Sequence, residues 1–167
     1  MTPAEGGFGF VPGSELPNGL GRSGVIRTPH GDIRTPAFVA VGTKATVKAV
    51  LPEAVGALGA QAVLANAYHL FLQPGSDIVD AAGGLGAFMN WPGPTFTDSG
   101  GFQVMSLGVG FKKVLAMDVA GLADDQVIAE GKTRLAHVDD DGVTFTSHLN
   151  GDRHRFTPEV SMRIQHE

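Results

Sequence analysis

Two short apolar runs, Ala37-Phe38-Val39-Ala40-Val41-Gly42 and Ala62-Val63-Leu64-Ala65, constrain this chain more than any other feature. A strand with one wet face alternates polar and apolar residues. A run without polar interruption predicts burial on both faces, the condition of a parallel sheet covered by helices. Between the runs Val47, Val50, Leu51, Ala54, Val55 and Leu58 recur at helical spacing, with Thr43 as candidate cap and Gly59 as stop. Pro52 inside that pattern predicts a break into two short helices. The second strand is expected from Gln61 to Asn66, and a short helix from Asp77 to Ala82 before the flexible Gly83-Gly84-Leu85-Gly86. A brief third strand over Pro94 to Thr97 ends abruptly in Asp98-Ser99-Gly100-Gly101. Strand, helix, strand, helix, strand is the grammar of an α/β parallel sheet or barrel.

The flanks read differently. Residues 1–21 are rich in Gly and Pro and are expected to be a poorly ordered lead-in, with residues 22–167 forming the domain. Val25-Ile26-Arg27 and Ile33-Arg34 surround a Pro and Gly break and predict a hairpin. Later, Thr133 to Val138 and Val143 to Leu149 are extended runs separated by Asp139-Asp140-Asp141-Gly142, and Asn150-Gly151 marks a second turn. Antiparallel insertions are therefore expected. Thr157 as cap and Pro158 at the first helical position open a last helix that runs to Glu167, so the chain is expected to stop in mid-architecture.

Charge and cysteine content remove several function classes. The chain carries 12 basic and 17 acidic side chains, a net charge of −5, and its densest basic stretch is only Arg153-His154-Arg155. Phosphate binding needs a clustered positive surface, so most contacts to any nucleic acid would come from elsewhere. No cysteine is present, which excludes disulfides and thiolate zinc ligands within this chain and fits a reducing cytoplasm. No apolar run approaches the roughly 18 residues of a membrane span, and the start lacks the form of a secretion signal. A cytoplasmic protein without membrane attachment is expected.

The segment with chemical promise is Thr97-Asp98-Ser99-Gly100-Gly101-Phe102-Gln103. It sets a carboxylate where an apolar strand ends, and the C-terminal rim of parallel strands is where barrel enzymes carry their chemistry. Gly100 and Gly101 would let a ligand approach the backbone N–H groups closely. Phe102 offers a face for a planar base, a stacking contact of ~1–3 kcal/mol. Composition alone favours a plainer reading, in which Asp98 caps a tight glycine turn.

The wider context changes that balance. TPHGDIRTPAFVAVGT, LANAYHLFLQPG, FMNWPGPTFTDSGGFQVMSL, GVTFTSHLNG and TPEVSMRIQ occur in this order over residues 22–165. Together they resemble the tRNA-guanine transglycosylases, or queuine tRNA-ribosyltransferases. The resemblance implies a (β/α)8 TIM barrel with antiparallel hairpin insertions, of which this chain would be a truncated N-terminal portion. It implies exchange of guanine at the anticodon wobble position of tRNA for a 7-deazaguanine base, through a covalent ribosyl-enzyme intermediate. By position, Asp98 matches the base-recognising proton acceptor, and Ser99, Gly100, Gly101, Phe102 and Gln103 the base-binding run. Val41, Leu64, Asn66 and His69 match positions near the ribose and neighbouring nucleotide. A homodimer and a bound zinc ion are implied for a full-length member.

Several family features have no counterpart here. The nucleophilic aspartate, a second base-binding aspartate and the Cys and His zinc ligands match no residue of this chain, so no metal ligand is assigned. Asp118, Asp124 and Asp141 are not substitutes. The stretch from Gly108 to Glu130 matches the family poorly. His148 and His154 are expected on facing strands, but two histidines without a third ligand make a poor zinc site. The aspartates before Gly142 lack the alternating spacing of a calcium loop. His69 reads better as a structural histidine than as a base, and Met105 and Phe111 as core. The chain by itself is expected to be inactive. The alternatives are a non-catalytic base-binding or partner subunit (or gene remnant) of the same family, and an unrelated metabolic α/β enzyme.

Overall fold

The structure, a computed structural model, describes residues 7–109 and 136–167. It divides into two compact units, residues 1–98 with Glu167, and residues 99–166. Met105, as a side chain, and Phe111, Asp118, Asp124 and most of the stretch from Gly108 to Glu130 lie outside the described residues.

The first unit opens with an antiparallel sheet in the order β1 (Gly9–Glu15), β2 (Arg22–Thr28) and β3 (Gly31–Thr35). The expected hairpin is β2–β3, closed at Thr28↔Gly31. The Thr28 hydroxyl donates to the Gly31 carbonyl at 2.8 Å and accepts from the His30 N–H at 3.1 Å. The lead-in read as loose is corrected in part: residues 9–15 form β1 and pair with β2, from Gly9↔Arg27 to Glu15↔Arg22. Its Gly and Pro residues are tolerated because β1 is an edge strand, irregular between Pro12 and Glu15.

A parallel sheet follows, in the order β4 (Val39–Val41), β5 (Ala62–Asn66) and β6 (Thr95–Asp98). The central strand behaves as its composition predicts: Ala62, Val63 and Ala65 are each at most 1% exposed. The run from Ala37 to Gly42 does not, since β4 covers only its middle, with Phe38 80% and Val41 53% exposed. The reason is place: β4 is an edge strand. Among the described residues the parallel strands form an open three-stranded sheet and no closed barrel. Mixed α/β architecture stands.

Between β4 and β5 the helical pattern is realised only as α1 (Pro52–Ala57). Pro52, whose fixed φ suits the first turn, starts the helix instead of splitting it. Thr43 therefore caps nothing, and Thr43 to Leu51 form an irregular loop with Ala45 and Ala49 at φ 55° and 63°. After β5 come α2 (Ala67–Leu72), α3 (Ser76–Ala81) and α4 (Leu85–Met89), the last using residues read as flexible. The Gln61 side chain ties the two sheets like a short piece of strand. Its Oε1 accepts from the Arg34 N–H at 2.9 Å and its Nε2 donates to the Arg34 carbonyl at 3.2 Å.

The second unit contains α5 (Gly101–Val109), the antiparallel sheet β7 (Ala136–Asp139), β8 (Gly142–Thr146) and β9 (Arg153–Phe156), and α6 (Pro158–His166). Its buried residues include Val104, Val143, Phe145, Phe156 and Ile164. The β7–β8 turn is held by Asp139, whose Oδ1 accepts from the Asp141 and Gly142 N–H groups. The Asn150-Gly151 turn exists, with Gly151 at φ 80°, but the connection runs over residues 147–152. His148 therefore sits in that loop and not on a strand facing His154, which pairs with Phe145. Thr157 caps α6 as expected, its hydroxyl accepting from the Val160 N–H at 3.3 Å.

Candidate functional site

Parallel strands place their C-terminal ends on one side, and in the first unit that rim gathers Val41, Asn66 and Asp98 as the last residues of β4, β5 and β6. Val41 is in register with Leu64, and Asn66 with Asp98. The sequence-predicted residues of this unit are thus cross-strand neighbours, with His69 one turn into α2. Only the fold could establish this, because Asn66 and Asp98 lie 32 residues apart.

The Asp98 carboxylate is half-buried and engaged on both oxygens. Oδ2 accepts from Asn66 Nδ2 at 2.7 Å, and Oδ1 accepts from the Ala67 N–H at 2.9 Å. Ala67 is the first residue of α2, whose N-cap Asn66 makes no side-chain capping bond. A carboxylate on the neighbouring strand thus satisfies a donor that the helix start leaves over. Bonds of this kind fix the plane of the carboxylate. Asp98 is not merely the cap of its own glycine turn, as composition alone suggested; it reaches across the sheet to β5.

His69 is half-buried with its ring edge-on to Tyr68, their centroids 5.0 Å apart. Tyr68 is buried, and burial pushes its hydroxyl pKa up. The first unit also has a cavity of about 20 Å³ lined by residues including Val47, Val50, Val55, Met89 and Trp91. That is room for roughly one water and none of the predicted site residues lines it, so it is a packing defect and not a base pocket.

The rest of the motif belongs to the second unit. Ser99 is exposed, Gly100 is buried at φ 70°, and Gly101 begins α5. Its N–H donates to the Ser99 hydroxyl at 3.2 Å. A left-handed φ at Gly100 is the backbone reason for glycine there. Phe102 is 60% exposed, less than Phe38 at 80%, and Gln103 is half-buried. One contributor escaped the reading of the sequence: Ser161 of α6 donates its hydroxyl to the Ser99 carbonyl at 2.7 Å. TPEVSMRIQ signalled that this helix mattered, but no property of a lone serine signals its partner.

Among the described residues no group of three or more His, Cys, Asp or Glu side chains is placed to hold a metal ion. No helix among the described residues is long and apolar enough to cross a membrane.

Comparison with known proteins places the chain in a family. Residues 18–167 match the family model described as Queuine tRNA-ribosyltransferase. The chain is 49% identical over 150 residues to a queuine tRNA-ribosyltransferase of Granulibacter bethesdensis, covering 90% of this chain and 33% of that protein. It is 49% identical over 148 residues to one from a Ruegeria species and 46% identical over 151 residues to one from Herpetosiphon aurantiacus. These matches cover 89% and 90% of this chain, and 33% and 32% of the respective relatives. The chain thus spans about a third of the length of these relatives, corresponding to their N-terminal part. With its motifs, its parallel-strand rim and a family match over most of its length, the chain belongs to the queuine tRNA-ribosyltransferase family.

Proposed function

We propose that this protein serves tRNA base exchange, replacing guanine at the wobble position by a 7-deazaguanine, and that this chain supplies part of the base pocket. The observation that carries the reading is Asp98 at the end of β6, held by Asn66 and the Ala67 N–H within a TDSGGF motif. A purine-like base offers ring N–H groups, and a carboxylate of fixed orientation accepts them through charge-assisted bonds. Phe102 supplies the stacking face, and Ser99, Gly100, Gly101 and Gln103 complete this chain's contribution. Val41, Leu64, Asn66 and His69 flank the ribose and the neighbouring nucleotide.

The reaction proposed is double displacement. A carboxylate attacks the ribose carbon, the glycosidic bond to guanine breaks, and a covalent ester to the RNA forms. The incoming base then breaks that ester and re-forms a glycosidic bond. Covalent catalysis divides one hard substitution into two, and a carboxylate suits a cationic sugar-like transition state. Asp98 is not the nucleophile in this scheme, and no residue of this chain is assigned that role. The in-order pairing β4-β5-β6 supports three successive strands of a (β/α)8 barrel, with β1–β3 and β7–β9 as insertions. We place the reaction in the cytoplasm, on tRNA, in a homodimer, with any zinc held by residues outside this chain.

Titration with 7-deazaguanine, followed by the amide resonances of residues 98–103, tests the base-binding half. Saturable binding is expected in the native chain, and Asp98→Asn, which keeps an acceptor for Ala67, is expected to weaken it at least about tenfold. Absence of binding, or equal binding by Asp98→Asn, would overturn the reading. Labelled guanine is expected not to enter tRNA with this chain alone. Turnover by the purified chain would refute the assignment of the nucleophile elsewhere.

A further inference from the structure

Ser147 and Ser161 are buried polar residues of the second unit, 3% and 5% exposed. Ser147 serves its own loop, its hydroxyl accepting from the Leu149 N–H at 3.1 Å. Ser161 does something else. A serine in the middle of a helix commonly bonds back to its own helix or faces solvent. Here the hydroxyl reaches the Ser99 carbonyl at 2.7 Å, 62 residues away.

The same hydroxyl also receives a donor from behind. Gln165, one turn further along α6, donates from Nε2 to Ser161 Oγ at 3.2 Å and to the Ser161 carbonyl at 3.3 Å. A hydroxyl has a single proton and two acceptor positions. With the Gln165 amide donating to one lone pair, the hydroxyl gives its proton to the Ser99 carbonyl, which can only accept. The relay runs from Gln165 to Ser161 to the Ser99 carbonyl. A peptide unit is a rigid trans plane, so holding the Ser99 carbonyl also sets the Gly100 N–H, which points the opposite way.

The need for such a hold follows from the local sequence. Ser99 is followed by two glycines, the residues with the most backbone freedom, and Gly100 takes φ 70°. Left alone, this segment would have to be ordered each time a ligand bound, at an entropic cost to affinity. We propose that Ser161, backed by Gln165, is a positioning residue that preorganises the Ser99–Gly100 peptide to receive a purine-like base. The inference deepens the base-binding reading and rests on it. Ser161 touches no base in this scheme; it acts through the peptide it orients.

The test is titration of the 167-residue chain with 7-deazaguanine, reading the Gly100, Gly101 and Phe102 amides in native protein, Ser161→Ala, Ser161→Thr and Gln165→Leu. Ser161→Ala is expected to bind about tenfold more weakly, the size of one lost hydrogen bond. Ser161→Thr, which keeps the hydroxyl, is expected to restore binding to within about threefold of native. A purely structural role would instead lower the stability of the unit and leave the affinity of folded molecules unchanged. Should Ser161→Ala fail to fold, Gln165→Leu decides: binding weakened severalfold supports the relay, and native affinity overturns it. Native affinity in folded Ser161→Ala overturns it equally. Absence of base binding in the native chain sinks the base-binding reading and this inference with it. Native binding that ignores Ser161 and Gln165 sinks the inference alone.

Discussion

Removing the Asp98 carboxylate should destabilise the first unit through Asn66, and a double-mutant cycle can show it. In Asp98→Ala the Asn66 amide and the Ala67 N–H both lose their acceptor, bonds of 2.7 and 2.9 Å. A hydrogen bond to a charged group contributes about 1.5–3 kcal/mol when well buried. Asp98 is only half-buried, and water compensates part of each loss, so about 1 kcal/mol per bond is the appropriate scale. Asp98→Ala should then cost about 2 kcal/mol and Asn66→Ala about 1 kcal/mol. Because one bond is common to both, the double variant should cost about 2 kcal/mol, leaving a coupling of about 1 kcal/mol. Trp91 is the single tryptophan and is buried in the same unit, so its fluorescence during urea unfolding reports the relevant transition. Single-variant costs that add to within about 0.3 kcal/mol would refute the Asn66–Asp98 bond. A cost of Asp98→Ala below about 0.5 kcal/mol would refute the tie to α2 as well.

Two further predictions concern the β7–β9 sheet. Gly142→Ala should be much more damaging than Gly151→Ala, because a Cβ at Gly142 (φ 152°) would meet the Phe156 carbonyl oxygen at 2.5 Å, whereas one at Gly151 (φ 80°) meets nothing within 4 Å. We expect about 3 kcal/mol against about 1 kcal/mol, measured by thermal unfolding, and equal losses would contradict the packing described. The Arg155 guanidinium beside Asp139, giving two nitrogens to its two oxygens, holds that carboxyl well below the usual carboxylate range, with the Asp141 and Gly142 N–H groups adding to the effect. A carboxyl depressed on folding stabilises above its unfolded pKa and ceases to do so as it is protonated. Stability of the β7–β8 hairpin should therefore fall as pH drops below about 4 in the native chain, and less so in Asp139→Asn. Amide exchange at Val143 measures it, and identical pH profiles would remove the ion pair from the account.

The parts legible in the sequence were those decided by local chemistry. β5 is buried where a run without polar residues demanded it, α6 begins at Thr157-Pro158, and the β7–β8 turn falls on the aspartates before Gly142. Pattern failed where a partner decides the state. Val47 to Leu51 have helical spacing, yet the helix starts only at Pro52. Ala37 to Gly42 are apolar throughout, yet Ala37, Phe38 and Val41 are exposed, and β4 over Val39–Val41 is an edge strand. Residues 9–15 lack a strand pattern and become a strand by pairing with β2.

The same division holds for the site. Sequence by itself determined which residue types are present: a carboxylate, two glycines and a ring in one contiguous motif, in a family recognisable from its ordered motifs. Tertiary structure decided what those residues touch. It set Asn66 opposite Asp98, turned the Ala67 N–H toward the carboxylate, and laid Ser161 against the Ser99 carbonyl. The physical reason is range. Backbone preference and hydrophobic period act over a few neighbouring residues, whereas these hydrogen bonds join groups 31 to 62 residues apart that only strand register and helix packing bring within 3 Å.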